Sequence, residues 1–210
     1  MGLYGIFTDI GVDDMDKEKV IQFFDACACG WDSNLVRNED VICTILDNAH
    51  VENGTYVLDV ACGTGVLFPD YLNRGACITA IDISSEMVKR AREKFPSVDV
   101  ICGDVEKYVF DTTFDVVMVY NAFPHFIDPA KLVKHLASLL ESGGRFSIAH
   151  GMSRENILKR HAGKASEVSI PLLEVGELVK VLEPFFEIET CISNDTMYQV
   201  VGVKKYVKVR

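Results

Sequence analysis

The sequence has no Cys-x-x-Cys pair, no apolar run of membrane-spanning length and no basic cluster longer than Lys204-Lys205. Each absence removes a class of function. Seven cysteines stand at positions 27, 29, 43, 62, 77, 102 and 191, an odd number without the paired spacing of a zinc site. Cys43, Cys77, Cys102 and Cys191 lie in apolar runs and are expected as small core residues of a protein kept reduced, while Cys27-Ala28-Cys29 reads as a helix end. No charged start leads into an apolar segment with a small-residue cleavage site, so a cytoplasmic location without membrane contact is expected. Lys and Arg number 21 against 31 Asp and Glu, a net charge of -10 that repels polyanions and argues against a nucleic-acid partner. Internal repeats and low-complexity tracts are also missing.

What is present is an ordinary globular composition, 49% hydrophobic and 25% charged over 210 residues, enough for one well-buried α/β domain. Residues 1–54 read as an N-terminal arm and a helical cap. In that cap Asp16 precedes a helix carrying Val20, Ile21, Phe23 and Phe24, and Asn38 precedes one carrying Val41, Ile42, Ile45 and Leu46. The pair is expected to cover one edge of the core. From residue 55 to 210 strand-like and helix-like runs alternate. The apolar strands 56–60, 77–81, 98–102, 114–119 and 145–149 are separated by helical patterns at 66–74, 85–95 and 129–140, which implies βαβ units and a mainly parallel sheet. Residues 151–174 break the alternation as a polar excursion, readable as a lid or as surface. A helix at 175–182 and two strands, 185–192 and 198–203, follow. Ser193-Asn194-Asp195 is the turn of a terminal hairpin.

The densest signal is Val57-Leu58-Asp59-Val60-Ala61-Cys62-Gly63-Thr64-Gly65, a buried strand that stops at a glycine pair and gives way to a helix. Without Cβ atoms, Gly63 and Gly65 let a ligand lie against the backbone. Three carboxylates follow at strand ends: Asp59 within the first strand, Asp82 closing the second and Asp104 just after the third. In an open parallel sheet these converge on one crevice. Asp82 is placed to accept hydrogen bonds from a ribose diol, as both nicotinamide and adenosyl cofactors require. A dinucleotide fingerprint needs a third small residue where Phe68 stands, which disfavours a pyrophosphate.

The segment resembles motif I of the class I S-adenosylmethionine-dependent methyltransferases of small-molecule type. Ala80-Ile81-Asp82-Ile83-Ser84 with Met87 is similar to the acidic loop of that family, and Gly103-Asp104-Val105 to its adenine-contacting turn. Phe114-Asp115-Val116-Val117 leading to Asn121-Ala122-Phe123 is similar to the motif beside the methionine moiety. Leu139-Leu140-Glu141-Ser142-Gly143-Gly144 resembles the turn before the fifth strand. The match covers about residues 20 to 205. It implies a Rossmann-like three-layer α/β sandwich with a mainly parallel seven-stranded sheet and a C-terminal antiparallel hairpin. It further implies S-adenosyl-L-methionine as cofactor, S-adenosyl-L-homocysteine as product and a small-molecule acceptor. The implied cofactor contacts are Asp59, Ala61, Cys62, Gly63, Gly65, Asp82, Ile83, Met87, Asp104, Val105, Asn121 and Ala122. Trp31 joins them from an N-terminal region that closes over the cofactor, although Phe23 and Trp31 also read as core residues of an amphipathic helix. Cys62 and Pro124-His125 depart from the family's commoner residues, and the second departure leaves the acceptor pocket unplaced.

Methyl transfer is an in-line displacement in which an enzyme chiefly aligns the nucleophile, with histidine the usual base where a proton must leave. His125 after the fourth strand is the first candidate for base or acceptor contact, and His150 at the end of the fifth is the second. His161 follows nearby, but histidines from separate loops lack ligand spacing and no metal is expected. His50 and His135 read as surface or packing residues. Arg154 reads equally as a partner for an acidic substrate group and as part of a charged surface helix. Two alternatives stand beside the methyltransferase: an NAD-dependent oxidoreductase, and a non-catalytic cofactor-binding partner protein. Monomer and homodimer are both open.

Overall fold

The structure, a computed structural model, describes residues 16–206. The expected arm at residues 1–15, together with Lys208 and Arg210, lies outside the described residues. The elements run α1 (Lys17–Cys27), α2 (Glu39–Asn48), β1 (Tyr56–Val60), α3 (Phe68–Arg74), β2 (Cys77–Asp82), α4 (Ser85–Lys94) and β3 (Asp99–Cys102). They continue with β4 (Phe114–Tyr120), α5 (Pro129–Leu139), β5 (Leu140–His150), α6 (Arg154–His161), α7 (Val175–Leu182), β6 (Phe186–Ser193) and β7 (Tyr198–Lys204).

The seven strands order as β3-β2-β1-β4-β5-β7-β6. β1 to β5 pair in parallel, while β7 runs antiparallel between β5 and β6. This is the expected Rossmann-like sandwich with its terminal hairpin. Chain order reverses between β1 and β4, so the crevice beyond their carboxyl ends is the natural ligand site.

Strand side chains alternate between two apolar layers. Leu58, Val60, Val117, Val119, Phe146 and Ile148 pack with Leu132, Leu136, Leu178 and Leu182 of α5 and α7. Val57, Val116 and Met118 pack on the other face with Ile42, Ile45 and Leu46 of α2, Phe68 and Tyr71 of α3, and Val88 of α4. α2 therefore covers a face of the sheet rather than an edge. Its start is fixed by Asn38, whose side chain accepts from Val41 N, and that of α1 by Asp16 accepting from Glu18 N. Pro129 sits in the first turn of α5, where its missing N–H costs nothing, and Asp128 caps it.

The cysteine expectation fails. Cys43, Cys77, Cys102 and Cys191 are exposed, and Cys62 is the buried one. Cys77 and Cys102 lie at strand ends and Cys191 on the outer edge strand, where burial alternates, while Cys43 faces outward from α2 toward Arg74, whose Nη2 is 3.3 Å from its Sγ. An apolar neighbourhood in sequence does not choose a face. β5 is also longer than expected, because residues 140–144 pair on through a register shift opposite Phe114 and Val116.

One buried amide ties the cap to the sheet. Gln199 Nε2 donates to Ile45 O at 2.9 Å and Ser147 Oγ at 3.1 Å, and its Oε1 accepts from Asn48 Nδ2 at 2.9 Å. Replacing Gln199 with Ala strands these buried partners. In urea titration Gln199→Ala is expected to lose about 1–3 kcal/mol of unfolding free energy, against less than about 0.5 for the exposed Gln22→Ala.

Candidate functional site

Ala61 and Asn121, at the carboxyl ends of the adjacent strands β1 and β4, both hold φ near 55°, a left-handed conformation unusual outside glycine. Strain of this kind collects at ligand sites. Here the two residues form part of the floor of a cavity that holds about 1010 Å³ of non-atom space, open mouth included.

Asp82 organises this floor. Its Oδ2 accepts from Gly63 N at 2.8 Å and its Oδ1 from Ser84 N at 2.8 Å, so the β2 carboxylate clamps the β1 turn to its own loop. Burial pushes its pKa up to about 6, against the pull of those amides. Ile83 and Met87 line the wall beside it, and Gly103, Asp104 and Val105 continue the wall after β3.

The roof is α1 and the turn after it, tied down by three polar links. Lys17 Nζ donates to Asp104 Oδ2 at 2.8 Å and also to Glu106. Asp25 Oδ1 accepts from Ser84 Oγ at 2.5 Å and Glu86 N at 3.1 Å. Asp32 accepts from Thr64 Oγ1 at 2.6 Å and Lys94 Nζ at 2.9 Å. Trp31 lies over the glycine turn: a Cβ built on Gly63 would sit 4.0 Å from its Nε1.

At the far end His125 projects from the short 3₁₀ turn after β4. Its ring meets Phe24 edge-on at 4.8 Å and tilts against His161 at 5.1 Å. Its Nδ1 lies 2.8 Å from Val168 O. A carbonyl only accepts, so Nδ1 carries the proton and Nε2 presents a lone pair. Burial lowers the His125 pKa to about 4, with the neighbouring His161 adding to the effect. The ring is therefore neutral at pH 7.

Most residues singled out in the sequence meet at this cavity: Trp31, Ala61, Cys62, Gly63, Asp82, Ile83, Met87, Asp104, Val105, Asn121, Ala122 and His125. Asp59, Gly65 and His150 do not line it. Asp59 is buried beneath the turn, where burial first and the Asp82 charge second hold its carboxyl well above the usual range. Gly65 is needed for packing, since at φ 82° any Cβ would lie 2.5 Å from the Phe68 ring. His150 is 2% exposed at the end of β5, with no partner for Nε2 among the described residues. Arg154 is occupied, donating to Leu172 O and Leu173 O and pairing with Glu174 at 2.7 Å. No group of three or more ligating side chains among the described residues could hold a metal ion.

Lys17, Glu106, Tyr120, Phe126 and Ile127 also line the cavity without having been singled out. The Lys17 links span 87 and 89 residues, which no local pattern announces. Tyr120 and the pair Phe126-Ile127 flank Asn121 and His125 and were within reach of an argument from strand-end position.

The glycine turn, the Asp82 carboxylate at the end of β2 and the roof enclose a cavity beyond the carboxyl ends of a parallel sheet, the usual ligand place of such folds. Residues 58–148 match the methyltransferase domain family. The chain is 31% identical over 106 residues to the demethylmenaquinone methyltransferase of Paenarthrobacter aurescens, covering 50% of this chain and 42% of the relative. It is 26% identical over 141 residues to the ubiquinone biosynthesis O-methyltransferase of Coxiella burnetii, covering 62% and 60%. Thus it spans about half the length of these curated relatives. Among solved structures, magnesium protoporphyrin IX methyltransferase of Synechocystis PCC 6803 with bound SAH superposes with a TM-score of 0.69 at 18% identity, covering 90% of this chain and 100% of the other. Together these liken the chain, over residues 58–148 in sequence and across the sheet in fold, to the class I S-adenosylmethionine-dependent methyltransferases, whose cofactor is S-adenosylmethionine. The residues fit it: Asp82 offers a carboxylate to a diol, and the left-handed turn opens backbone to the ligand.

Asp82 also sets a pH dependence. Its folded pKa is raised to about 6, so below that value the carboxylate takes up a proton and stops accepting from both hydroxyls. By calorimetry, S-adenosylmethionine affinity attributable to this group should be level above pH 6 and fall below it by up to about tenfold per pH unit. Asp82→Asn should bind more weakly and lose that dependence; unchanged affinity in this variant would remove Asp82 from the site.

Proposed function

We propose that the chain transfers a methyl group from S-adenosylmethionine to a small-molecule acceptor, with His125 receiving the acceptor's proton. The observation that carries this reading is the fixed tautomer of His125 on the cavity wall, next to Asn121 and Ala122. When bound, the cofactor supplies a methyl group on positively charged sulfur.

The chain's own residues have three tasks. Asp82, Ile83, Met87 and Val105 would hold the nucleoside, with Asp82 taking the ribose hydroxyls. Asn121 is itself held, its Oδ1 accepting from Gly151 N at 3.0 Å and its own N–H donating to Ala149 O at 2.8 Å. Its side chain also hydrogen-bonds the Tyr120 hydroxyl, so the amide is fixed at the cavity wall. α1 and Trp31 keep water out, which matters because displacement at the methyl carbon must favour the acceptor over solvent. His125 Nε2, neutral and unprotonated at pH 7, accepts the proton as the acceptor heteroatom forms its new bond.

Two features support a small acceptor over a macromolecular one. The net charge of -10 repels nucleic acid, and the cavity runs under a roof rather than along an open groove. The dinucleotide reading is weakened by Phe68, which is fully buried in the third small-residue place.

The test uses tritiated S-adenosylmethionine with a panel of hydroxyl and amine acceptors. His125→Gln should lower kcat by about 10²–10⁴-fold while the cofactor Kd stays within about twofold. A variant that turns over like the parent would show that His125 is not the base.

A further inference from the structure

We propose that the acceptor is an uncharged, largely apolar molecule bearing a hydroxyl or amine, selected by the fixed lone pair of His125, with His161 positioning that ring from behind. This deepens the methyltransferase reading above and rests on it. Three observations lead there.

The first is what His125 demands of a partner. With Nδ1 committed to Val168 O at 2.8 Å, Nε2 can only accept, so whatever meets it must donate. A hydroxyl or amine does so. A carboxylate or phosphate brings its own lone pairs and is repelled.

The second is the absence of compensation for charge. Lys17, the cation in the lining, is bound at the adenine end to Asp104 and Glu106. Arg154 is consumed by Leu172 O, Leu173 O and Glu174. Arg37 is held by Glu39, Asp70 and Val66 O, and Arg160, next to His161 on α6, is exposed to solvent. The described residues that line the cavity thus leave no uncommitted Lys or Arg to meet an anionic acceptor, while Phe24, Trp31, Tyr120, Phe126 and Ile127 offer apolar surface. Burying an unpaired anion there is strongly unfavourable.

The third is a pair of unsatisfied ring nitrogens behind His125. His150 Nε2 and His161 Nδ1 are both buried without a partner among the described residues, and His161 touches His125 ring to ring at 5.1 Å. Neither ring lines the cavity, so both stand behind His125, and His161 acts on an acceptor only through the ring it packs against, as a positioning residue. All three rings are held neutral, each pKa being lowered by burial first. A neutral row suits an uncharged partner.

The test uses the full chain, labelled at histidine, saturated with S-adenosylhomocysteine and probed with naphthol, naphthylamine and naphthoate. Heteronuclear NMR should show His125 protonated on Nδ1 and bare on Nε2 at pH 7 and still so at pH 5. Naphthol or naphthylamine should shift the Nε2 resonance and bind at least about tenfold more tightly than naphthoate. His161→Phe should weaken naphthol by about threefold or more with S-adenosylhomocysteine affinity unchanged. A proton on His125 Nε2 at pH 7 would overturn the inference. So would naphthoate binding as well as naphthol, or none of the three probes binding to a chain that does bind S-adenosylhomocysteine. Failure to bind S-adenosylhomocysteine would instead strike the methyltransferase reading, and the tautomer measurement reports independently of it.

Discussion

The clamp that Asp82 makes across two strand ends is the constraint on which the site depends. Its two oxygens each take a backbone N–H, from Gly63 and from Ser84, and so fix the β1 turn against the β2 loop. A buried carboxylate is tolerable only when such bonds satisfy it. The arrangement leaves Asp82 pinned on one side and open to the cavity on the other. Ser84, held in place at the start of α4, is in turn the residue to which Asp25 of the roof attaches. Floor and roof therefore share one hydrogen-bonded chain.

That sharing bears on how a ligand enters. α1 contributes little to the apolar core, Val20 being its one buried residue, and is held chiefly by Lys17, Asp25 and, just beyond its end, Asp32. Polar links of this exposure are individually weak. An element with few buried apolar contacts sits at the low end of local stability. The roof is thus the part of the site least anchored in the core, whereas the sheet is held by two apolar layers. At the other end of the cavity, the 3₁₀ turn Lys164–Val168 and α6 hold His125 through Val168 and His161, and Ile170 N donates to Pro124 O at 2.8 Å. This end of the cavity is fastened to the excursion after β5 as well as to the end of β4.

How much of this could be read from the chain follows from the range of each interaction. The alternating strands and helices, the left-handed turn at Gly63 and the acids at strand ends are local patterns, and they fixed the fold and most of the floor. Asp59 was harder, because a carboxylate within a strand can face either layer, and only the packing of α3 shows that it lies under the turn. The four outward-facing cysteines failed for the same reason. Gly65 reads identically whether it admits a ligand or a Phe ring. Lys17 reaching Asp104, and Arg154 spending its guanidinium on Leu172 and Leu173, are long-range pairings without a local signature. His150 reached the correct strand end, yet the residue stands behind the wall rather than in it.

The buried titratable groups at the two ends of the cavity pull in opposite directions. Asp82 and Asp59 have raised pKa values, so the folded chain binds more protons there than the unfolded one from about pH 4 upward, and their stability contribution is lost as pH rises through that window. For Asp82 the loss is complete near its folded value of about 6. His125 and His150 are lowered to about 4 and about 3. The unfolded chain therefore binds more protons at these positions below about pH 6.5, and their contribution is lost as pH falls. Across the interval from about pH 4 to 6 the two slopes oppose each other. A site with only the acids, or only the histidines, would lean steeply to one side. Holding both lets the cavity keep a charged carboxylate at one end and neutral imidazoles at the other, and the pH at which both conditions are met lies above about 6.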